Sequence, residues 1–146
     1  MKDLLIDKSQ DFFLILEREK SDWPAFYFEY VKNAPYIFSS YHRILNLKEE
    51  TIKKRILSFE RRFLDKVFQS LPEIGPYKYE VARALVSKAE SMNLNISDFH
   101  FYIVGGLDFD PVTVIDEQNT LIDVLALYRV GFENLEDLCV KISMRR

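Results

Sequence analysis

The stretch FHFYIVGGLDFDPVTVID, residues 99–116, contains the clearest strand signals in the chain. Its first part, FHFYIV, is rich in aromatic and β-branched residues and ends at Gly105 and Gly106, which indicates a strand followed by a turn. Its last part, VTVID, follows Pro111, and proline is tolerated just before a strand although it lacks a backbone N–H. The stretch therefore predicts two strands joined by a charged loop.

The charged loop allows two functional alternatives, a phosphate loop and a metal loop. The segment GGLDFDP has neither GxGxxG nor GxxxxGK[ST] spacing, and its two aspartates would repel a phosphate. Asp108 and Asp110 are a candidate cation site, but a calcium loop needs further oxygen ligands where this chain has Pro111 and Val112. A glycine turn and a solvated acidic loop are therefore the favoured interpretation.

Helical periodicity dominates the sequence on the N-terminal side of this stretch. Apolar residues recur three or four positions apart, and charged residues occupy the opposite faces. The longest periodic run would begin at a capping box formed by Asn46 and Glu49. This pattern predicts five helices, at residues 9–20, 21–33, 34–45, 46–71 and 76–93.

On the C-terminal side, TLIDVLALY, residues 120–128, fits either a third strand or a short helix, and residues 134–146 fit a closing helix. Helices followed by strands favour an α+β fold. We expect an N-terminal bundle of about five helices, then a small, two- to three-stranded, mainly antiparallel sheet and a C-terminal helix. We also expect one domain over residues 1–146, with a helical part (1–93) and a β-rich part (94–146).

The composition excludes several classes of protein. The chain has 146 residues, of which 48% are hydrophobic and 14% aromatic, so a folded core is expected rather than disorder. A net charge of -3 gives no reason to expect a nucleic-acid partner. Cys139 is the one cysteine, which excludes an internal disulfide and favours a reducing, cytoplasmic location. No apolar run is long enough for a membrane span.

The residue types of common active sites are sparse and scattered. His42 and His100 lie in different predicted elements, whereas a zinc site commonly has ligands in paired spacing such as HxxxH or CxxC. Cys139 falls on the apolar stripe of the closing helix, as a buried hydrophobic residue would. The nucleophile pattern GxSxG is absent. We therefore expect no catalytic residue, no metal site and no cofactor.

Residues 23–41 contain more aromatic side chains than one helix face buries. Few basic residues accompany them, so core packing is favoured over stacking on nucleic-acid bases. A surplus of exposed rings would form a protein-binding patch. The candidates for this patch are Trp23, Tyr27, Tyr30, Tyr36 and Tyr41.

Three segments resemble predicted zinc-dependent peptidases of the HExxH, gluzincin-like kind. AFYFEYVKNAPYIFSSY (25–41) is similar to a helical segment near their start, and LNISDFHFYIVGGLDFDPVTVIDEQNTLIDV (94–124) to the strands beside their catalytic helix. ENLEDLCVKIS (133–143) is similar to the segment that runs into that helix. The resemblance implies a peptidase-like fold whose sheet edge holds polypeptide substrate.

The chain departs from these peptidases at the motif that carries their chemistry. In HExxH two histidines bind zinc and the glutamate acts as general base, but here the closing helix reads KISMRR. No catalytic residue therefore carries over. The chain is either the front part of a longer peptidase, active only with a downstream catalytic part, or a natural relative without the active site.

Two functions follow from these observations as hypotheses. The first is a catalytically silent, peptidase-like domain that binds or packs against a polypeptide; if residues 120–128 are a strand, they form the binding edge. The second is a helical protein–protein interaction module that uses the aromatic residues of 23–41. The oligomeric state is open, although an exposed edge strand would promote a homo-oligomer. The side chains assigned to the binding edge are those of Leu121, Asp123, Leu125 and Leu127.

Overall fold

A sheet of four strands organises the described part of this chain. The structure is a computed structural model, and it describes residues 4–91 and 99–144. The strands are β1 (Leu5–Asp7), β2 (His100–Val104), β3 (Val112–Val114) and β4 (Asn119–Asp123). β1 runs parallel to β2, and β2 runs parallel to β4, while β3 pairs with β4 in the antiparallel direction. The order across the sheet is β1-β2-β4-β3.

Helices make up most of the remaining described residues, so the fold is a mixture of helix and strand. Short 3-10 segments at Phe13–Glu17, Lys20–Asp22, Val31–Asn33, Leu71–Ile74 and Phe132–Asn134 connect several of them. The α-helices are α1 (Ser9–Phe12), α2 (Trp23–Tyr30), α3 (Pro35–Ile44), α4 (Glu49–Ser58), α5 (Arg61–Ser70), α6 (Gly75–Ser91), α7 (Val124–Val130) and α8 (Leu135–Met144).

The prediction of a mainly antiparallel sheet is wrong. Two of the three strand pairings are parallel, and β1 was not predicted at all. Parallel neighbours require a crossover connection, and the chain supplies one from β1 to β2 through the helices α1 to α6. The strand β3 lies within the second crossover, from β2 to β4, and it is the edge strand on that side of the sheet.

The predicted continuous helix over residues 46–71 is also wrong. The chain leaves helical geometry at Phe59 and Glu60, whose backbones are extended, and this break separates α4 from α5. It lets the Phe59 ring stay buried while α4 packs against α2 and α5 packs against the 3-10 segment Phe13–Glu17. The expected capping box is absent, because Asn46 has a left-handed φ of 54° and Lys48 is the N-cap.

Two further segments that the sequence predicted as single elements each consist of two elements in the structure. Residues 9–20 form only the short α1 and then a 3-10 turn, in place of a full helix. Residues 120–128 are neither one strand nor one helix: β4 ends at Asp123 and α7 begins at Val124. The division places a buried aspartate at the junction of strand and helix.

The core lies between the sheet and the helices of the first half of the chain. Phe101, Ile103 and Leu121 of the sheet are buried, as are the large aromatic side chains of Phe12 and Trp23. The ring of Phe12 packs edge-on against Tyr30 and Phe13, so aromatic contacts join α1 to α2. Within the described residues, no helix is long and apolar enough to cross a membrane.

Candidate functional site

The residues that follow β2 form a loop held by side chains from several elements. We call residues 105–108 the glycine loop. The hydroxyl of Tyr30 accepts the N–H of Gly105 over 3.1 Å and donates to the carbonyl of Lys8 over 2.7 Å. The hydroxyl of Tyr41 accepts the N–H of Leu107 over 3.1 Å. Two tyrosines from α2 and α3 thereby fix the loop at the carboxyl end of β2, and burial raises the pKa of both phenols.

Asp123 fixes the same loop from the end of β4. Its Oδ1 accepts the N–H of Gly106 at 3.0 Å and that of Leu125 at 2.9 Å, the second bond capping α7. Its Oδ2 accepts the N–H of Asp108 at 2.7 Å. Burial raises the pKa of Asp123 to about 6, against the lowering effect of these three N–H donors. The carboxylate therefore joins β4, α7 and the glycine loop.

Both glycines are required by close packing. A Cβ at Gly105 would overlap the ring of Phe12, and a Cβ at Gly106 would lie 2.6 Å from the Asp123 carboxyl carbon. Neither glycine has a positive φ, whereas Asp108 does, at 62°. The GG pair thus serves close approach of the loop to Phe12 and Asp123, which differs from the predicted turn role.

Two arginines complete the support of the loop. Arg55 of α4 donates from Nε to the carbonyl of Leu107 over 2.7 Å and from Nη2 to that of Asp108 over 2.6 Å. Arg129 of α7 donates from Nε to the Asp108 carboxylate over 2.8 Å. Both guanidinium groups also lie over aromatic rings, Arg55 at 4.3 Å from the centre of Phe109 and Arg129 at 4.0 Å from that of Phe63.

A cleft of about 340 Å³ opens beside these arginines, and we call it the arginine cleft. It adjoins the glycine loop, beyond the carboxyl ends of β2 and β4. In sheets with parallel strands, ligands commonly bind beyond the carboxyl ends of the strands. The lining residues include Arg55, Arg129, Asp108, Glu60, Phe59 and Phe63.

The strand β3 has one strand neighbour within residues 4–91 and 99–144, which is β4. The carbonyl of Pro111 accepts the N–H of Asp123, and the N–H of Ile115 donates to the carbonyl of Asn119. Since antiparallel pairing alternates along a strand, the backbone groups of Val112 and Val114 point away from β4. The side chain of Val114 is 46% exposed. This outer side of β3 is the edge that we call the β3 edge.

The predicted polypeptide-binding edge at Leu121, Asp123, Leu125 and Leu127 requires correction. Leu121 and Asp123 belong to β4, which lies between β2 and β3 and has both sides paired. Leu125 and Leu127 belong to α7. All four side chains are completely buried, because the strand runs through the middle of the sheet and the helix faces the core.

The predicted aromatic interaction patch also requires correction. Trp23, Tyr27, Tyr30 and Tyr41 are at most 3% exposed, because their rings pack between the helices and the sheet. Tyr36 alone of the five is exposed, at 55%. Its hydroxyl donates to the Asp116 carboxylate over 2.6 Å.

The candidate cation pair, Asp108 and Asp110, is not brought together with further ligands. The side chain of Asp108 is 7% exposed and is bound by Arg129, whereas Asp110 is exposed. Within the described residues, no group of three or more His, Cys, Asp or Glu side chains is placed to hold a metal ion. The acidic loop therefore has one buried carboxylate paired with an exposed arginine, which differs from the fully solvated loop that its sequence suggested.

Of the remaining candidates, His42 is half-buried and Cys139 is buried. His42 accepts or donates a hydrogen bond of 2.7 Å with the hydroxyl of Tyr27, and burial lowers the pKa of His42 to about 4. Cys139 is completely buried, as its position on an apolar stripe predicted, and burial raises the pKa of its thiol to about 12. Both groups are therefore uncharged at neutral pH.

Sequence reasoning singled out several residues of the site in other roles, and it missed both arginines. It assigned Asp108 to a cation pair, Asp123 to a binding edge, and Tyr30 and Tyr41 to an interaction patch. An aspartate before an apolar run is a helix-capping signal, and it marks Asp123 as the start of α7. No comparable signal exists for Arg55 and Arg129, because their partners are backbone and side-chain groups more than 20 positions away along the chain.

Comparison of the chain with protein-family models, with curated proteins and with solved structures found no match. The resemblance to zinc peptidases therefore stays a prediction.

Proposed function

We propose that this chain is a catalytically silent, polypeptide-binding domain that pairs an extended segment of its partner with the β3 edge. The observation that carries the proposal is the outward direction of the backbone N–H and C=O groups of Val112 and Val114. Unpaired groups of this kind accept an additional strand, as in the peptide-binding domains that work by strand addition. The proposal keeps the predicted function and moves its site from residues 120–128 to β3.

The surroundings of β3 support this use of the edge. Phe109 precedes the strand and is 41% exposed, and Val114 within it is 46% exposed. Side chains that alternate along an added strand would meet these two apolar groups. The other side of β3 is fixed by its ladder with β4, so binding does not require rearrangement of the sheet.

The lack of catalytic residues is the second part of the proposal. Zinc peptidases require histidines one helical turn apart, and the sequence has no HExxH motif. We expect purified protein to contain no stoichiometric zinc by elemental analysis and to leave unstructured peptides uncut. One zinc ion per chain would contradict this part of the proposal.

The binding part is tested by selecting peptides from a displayed random library against the folded protein. The variant Val114→Pro lacks one outward N–H without losing a bond to β4, so it should bind selected peptides at least about tenfold more weakly. Val114→Thr retains the N–H and the strand propensity, so it is the matched control. Equal binding by the proline variant and the wild type would contradict the proposal.

A further inference from the structure

We infer that the arginine cleft is a subsite for a carboxylate of the polypeptide that pairs with the β3 edge. The inference rests on the proposed function and names the chemistry of its ligand. It depends on three features of the cleft. Among residues 4–91 and 99–144, one arginine has no ion-pair partner and a second has donors that are not used, and both lie beside the start of β3.

Arg55 forms no ion pair with an acidic side chain among the described residues. Its guanidinium donates to two backbone carbonyls and lies 4.3 Å from the centre of the Phe109 ring, so its orientation is fixed. In the part of the chain that the structure describes, no carboxylate lies within ion-pair distance of this group. A guanidinium held in this way is preorganised for binding an anion, because its orientation does not have to be fixed on binding.

Arg129 supplies the second set of donors. Its Nε binds Asp108, its guanidinium stacks on Phe63, and its side chain is 57% exposed. The two Nη groups of Arg129 donate to no residue in the described ranges. Because these groups form the outer end of the guanidinium, a carboxylate in the cleft can accept from them without displacing Asp108.

Asp108 does not occupy the site that these donors create. Its side chain is 7% exposed, and within the described ranges its Oδ2 accepts only from Nε of Arg129, so it leaves both Nη groups of that arginine to a ligand. Its Oδ1 is buried and has no hydrogen-bond partner among the described residues. The accessible donors of the cleft therefore belong to the two arginines.

The balance of charge favours a carboxylate over a phosphate dianion. Two arginines and two acidic side chains, Asp108 and Glu60, line the cleft. The formal charges of these four side chains sum to zero, and Arg55 is the arginine that has no ion pair among the described residues. A ligand with one negative charge can pair with Arg55, whereas a dianion would meet about twice the repulsion from the two acidic groups. The planar carboxylate also matches the fork of a guanidinium, which binds it through two parallel hydrogen bonds.

The cleft lies where a strand on the β3 edge would deliver such a group. Asp108 precedes Val112 by four residues, so the two lie at most about 13 Å apart, which is the length of four residues of extended chain. Phe109 connects the two places, since it leads toward β3 and its ring covers Arg55. A polypeptide paired with Val112 and Val114 would therefore place an acidic residue, or its own C-terminus, in the cleft.

The test measures binding of single-residue carboxylates by NMR of the arginine Nε–H groups. N-acetylglutamate α-amide offers a side-chain carboxylate, N-acetylalanine offers a C-terminal one, and N-acetylglutamine amide is the uncharged control. We expect at least one carboxylate to shift the Arg55 and Arg129 signals with saturation in the millimolar range, and to leave Arg62 unchanged. The carboxylate that binds identifies the source. Absence of saturable shifts with both, or equal shifts at Arg62, would overturn the inference.

Two variants sharpen the test without relying on loss of folding. Glu60 is exposed, forms no ion pair in the described ranges and lines the cleft, so Glu60→Gln should strengthen binding about two- to threefold. Arg129→Gln should weaken it about tenfold. Arg62→Gln makes the same charge change as Arg129→Gln at an exposed position of α5 outside the cleft, and it should have no effect. Tightening by Glu60→Gln cannot arise from misfolding, and its absence would overturn the inference.

The outcome of the carboxylate titration does not depend on whether the proposed function is correct. Probes of one residue cannot pair as a strand with Val112 and Val114. If the carboxylates do not bind, the proposal that the β3 edge binds a polypeptide still stands. If peptides do not pair with β3 but the carboxylates bind, the arginine cleft is a carboxylate site and the proposed function is wrong.

Discussion

The carboxylate of Asp123 accepts the backbone N–H of Asp108 over 2.7 Å, across 15 positions of sequence. This bond joins the end of β4 to the glycine loop, and the other oxygen of Asp123 extends the connection to Gly106 and to α7. Asp108 of this loop lines the arginine cleft, and β3 begins four residues after it. The integrity of the candidate site therefore depends on a buried carboxylate that contacts no ligand itself.

Replacement of Asp123 tests this dependence. In Asp123→Asn an amide group replaces one oxygen, so an N–H donor faces another donor in a completely buried place. We expect the free energy of unfolding to fall by about 2–4 kcal/mol, measured by urea denaturation. Asp110→Asn changes an exposed aspartate near the same loop and should cost less than about 0.5 kcal/mol. Similar losses for both variants would show that Asp123 does not hold the loop.

The Tyr30 hydroxyl is a second support of the glycine loop, and it can be removed by deleting a single oxygen atom. Tyr30→Phe keeps the buried ring but leaves the Gly105 N–H and the Lys8 carbonyl without that partner. The expected loss is about 1–3 kcal/mol, because an unsatisfied buried polar group retains its desolvation cost. Tyr79→Phe, at a side chain that is 69% exposed, is the control. A thermal or urea unfolding curve equal to that of wild type would remove Tyr30 from the account.

The glycine loop has no room for a methyl group. Gly105→Ala places a Cβ against the ring of Phe12 in the buried core, so we expect a loss of about 3 kcal/mol or more, or failure to fold. Gly75→Ala meets no atom within 4 Å and should be neutral or slightly stabilising. Melting temperatures of the two variants check the difference. A stable Gly105→Ala protein would mean that the loop lies further from Phe12.

His42 makes stability depend on pH with a defined sign. Burial lowers the pKa of His42 from 6.5 to about 4. Between pH 6.5 and about pH 4, the unfolded chain therefore binds the imidazole proton more strongly than the folded protein does. The contribution of His42 is therefore complete above pH 6.5 and is lost as the pH falls toward about 4. His42→Gln does not titrate, and we expect its unfolding free energy to fall less than that of wild type between pH 7 and pH 4.5. Parallel pH profiles for the two proteins would contradict the assignment.

The local parts of the fold were predictable because their signals are local. Aromatic and β-branched residues marked β2 and β3, and periodic apolar residues marked most of the helical segments. β1 has three residues and depends on pairing with a strand about 96 positions later, so no pattern revealed it. The break at Phe59 contains neither glycine nor proline, and the apolar period continues across it.

The candidate site was predictable only in its location. The sequence drew attention to residues 99–116, and both proposed sites include part of this stretch. It did not reveal that Asp108 would be buried against Arg129, because an acidic loop in sequence looks solvated until its partner is known. Asp123 was assigned to a binding edge instead of a helix cap, because apolar residues on both sides made strand and helix indistinguishable there.

The central claim is that a polypeptide pairs with β3, and amide hydrogen exchange at Val112 and Val114 tests it most directly. Both N–H groups point away from β4, so in the free protein they should exchange much faster than the N–H of Thr113. Saturation with a selected peptide should slow exchange at Val112 and Val114 by about tenfold or more, and leave Thr113 little changed. Saturable binding that leaves both amides as exposed as before would contradict the account.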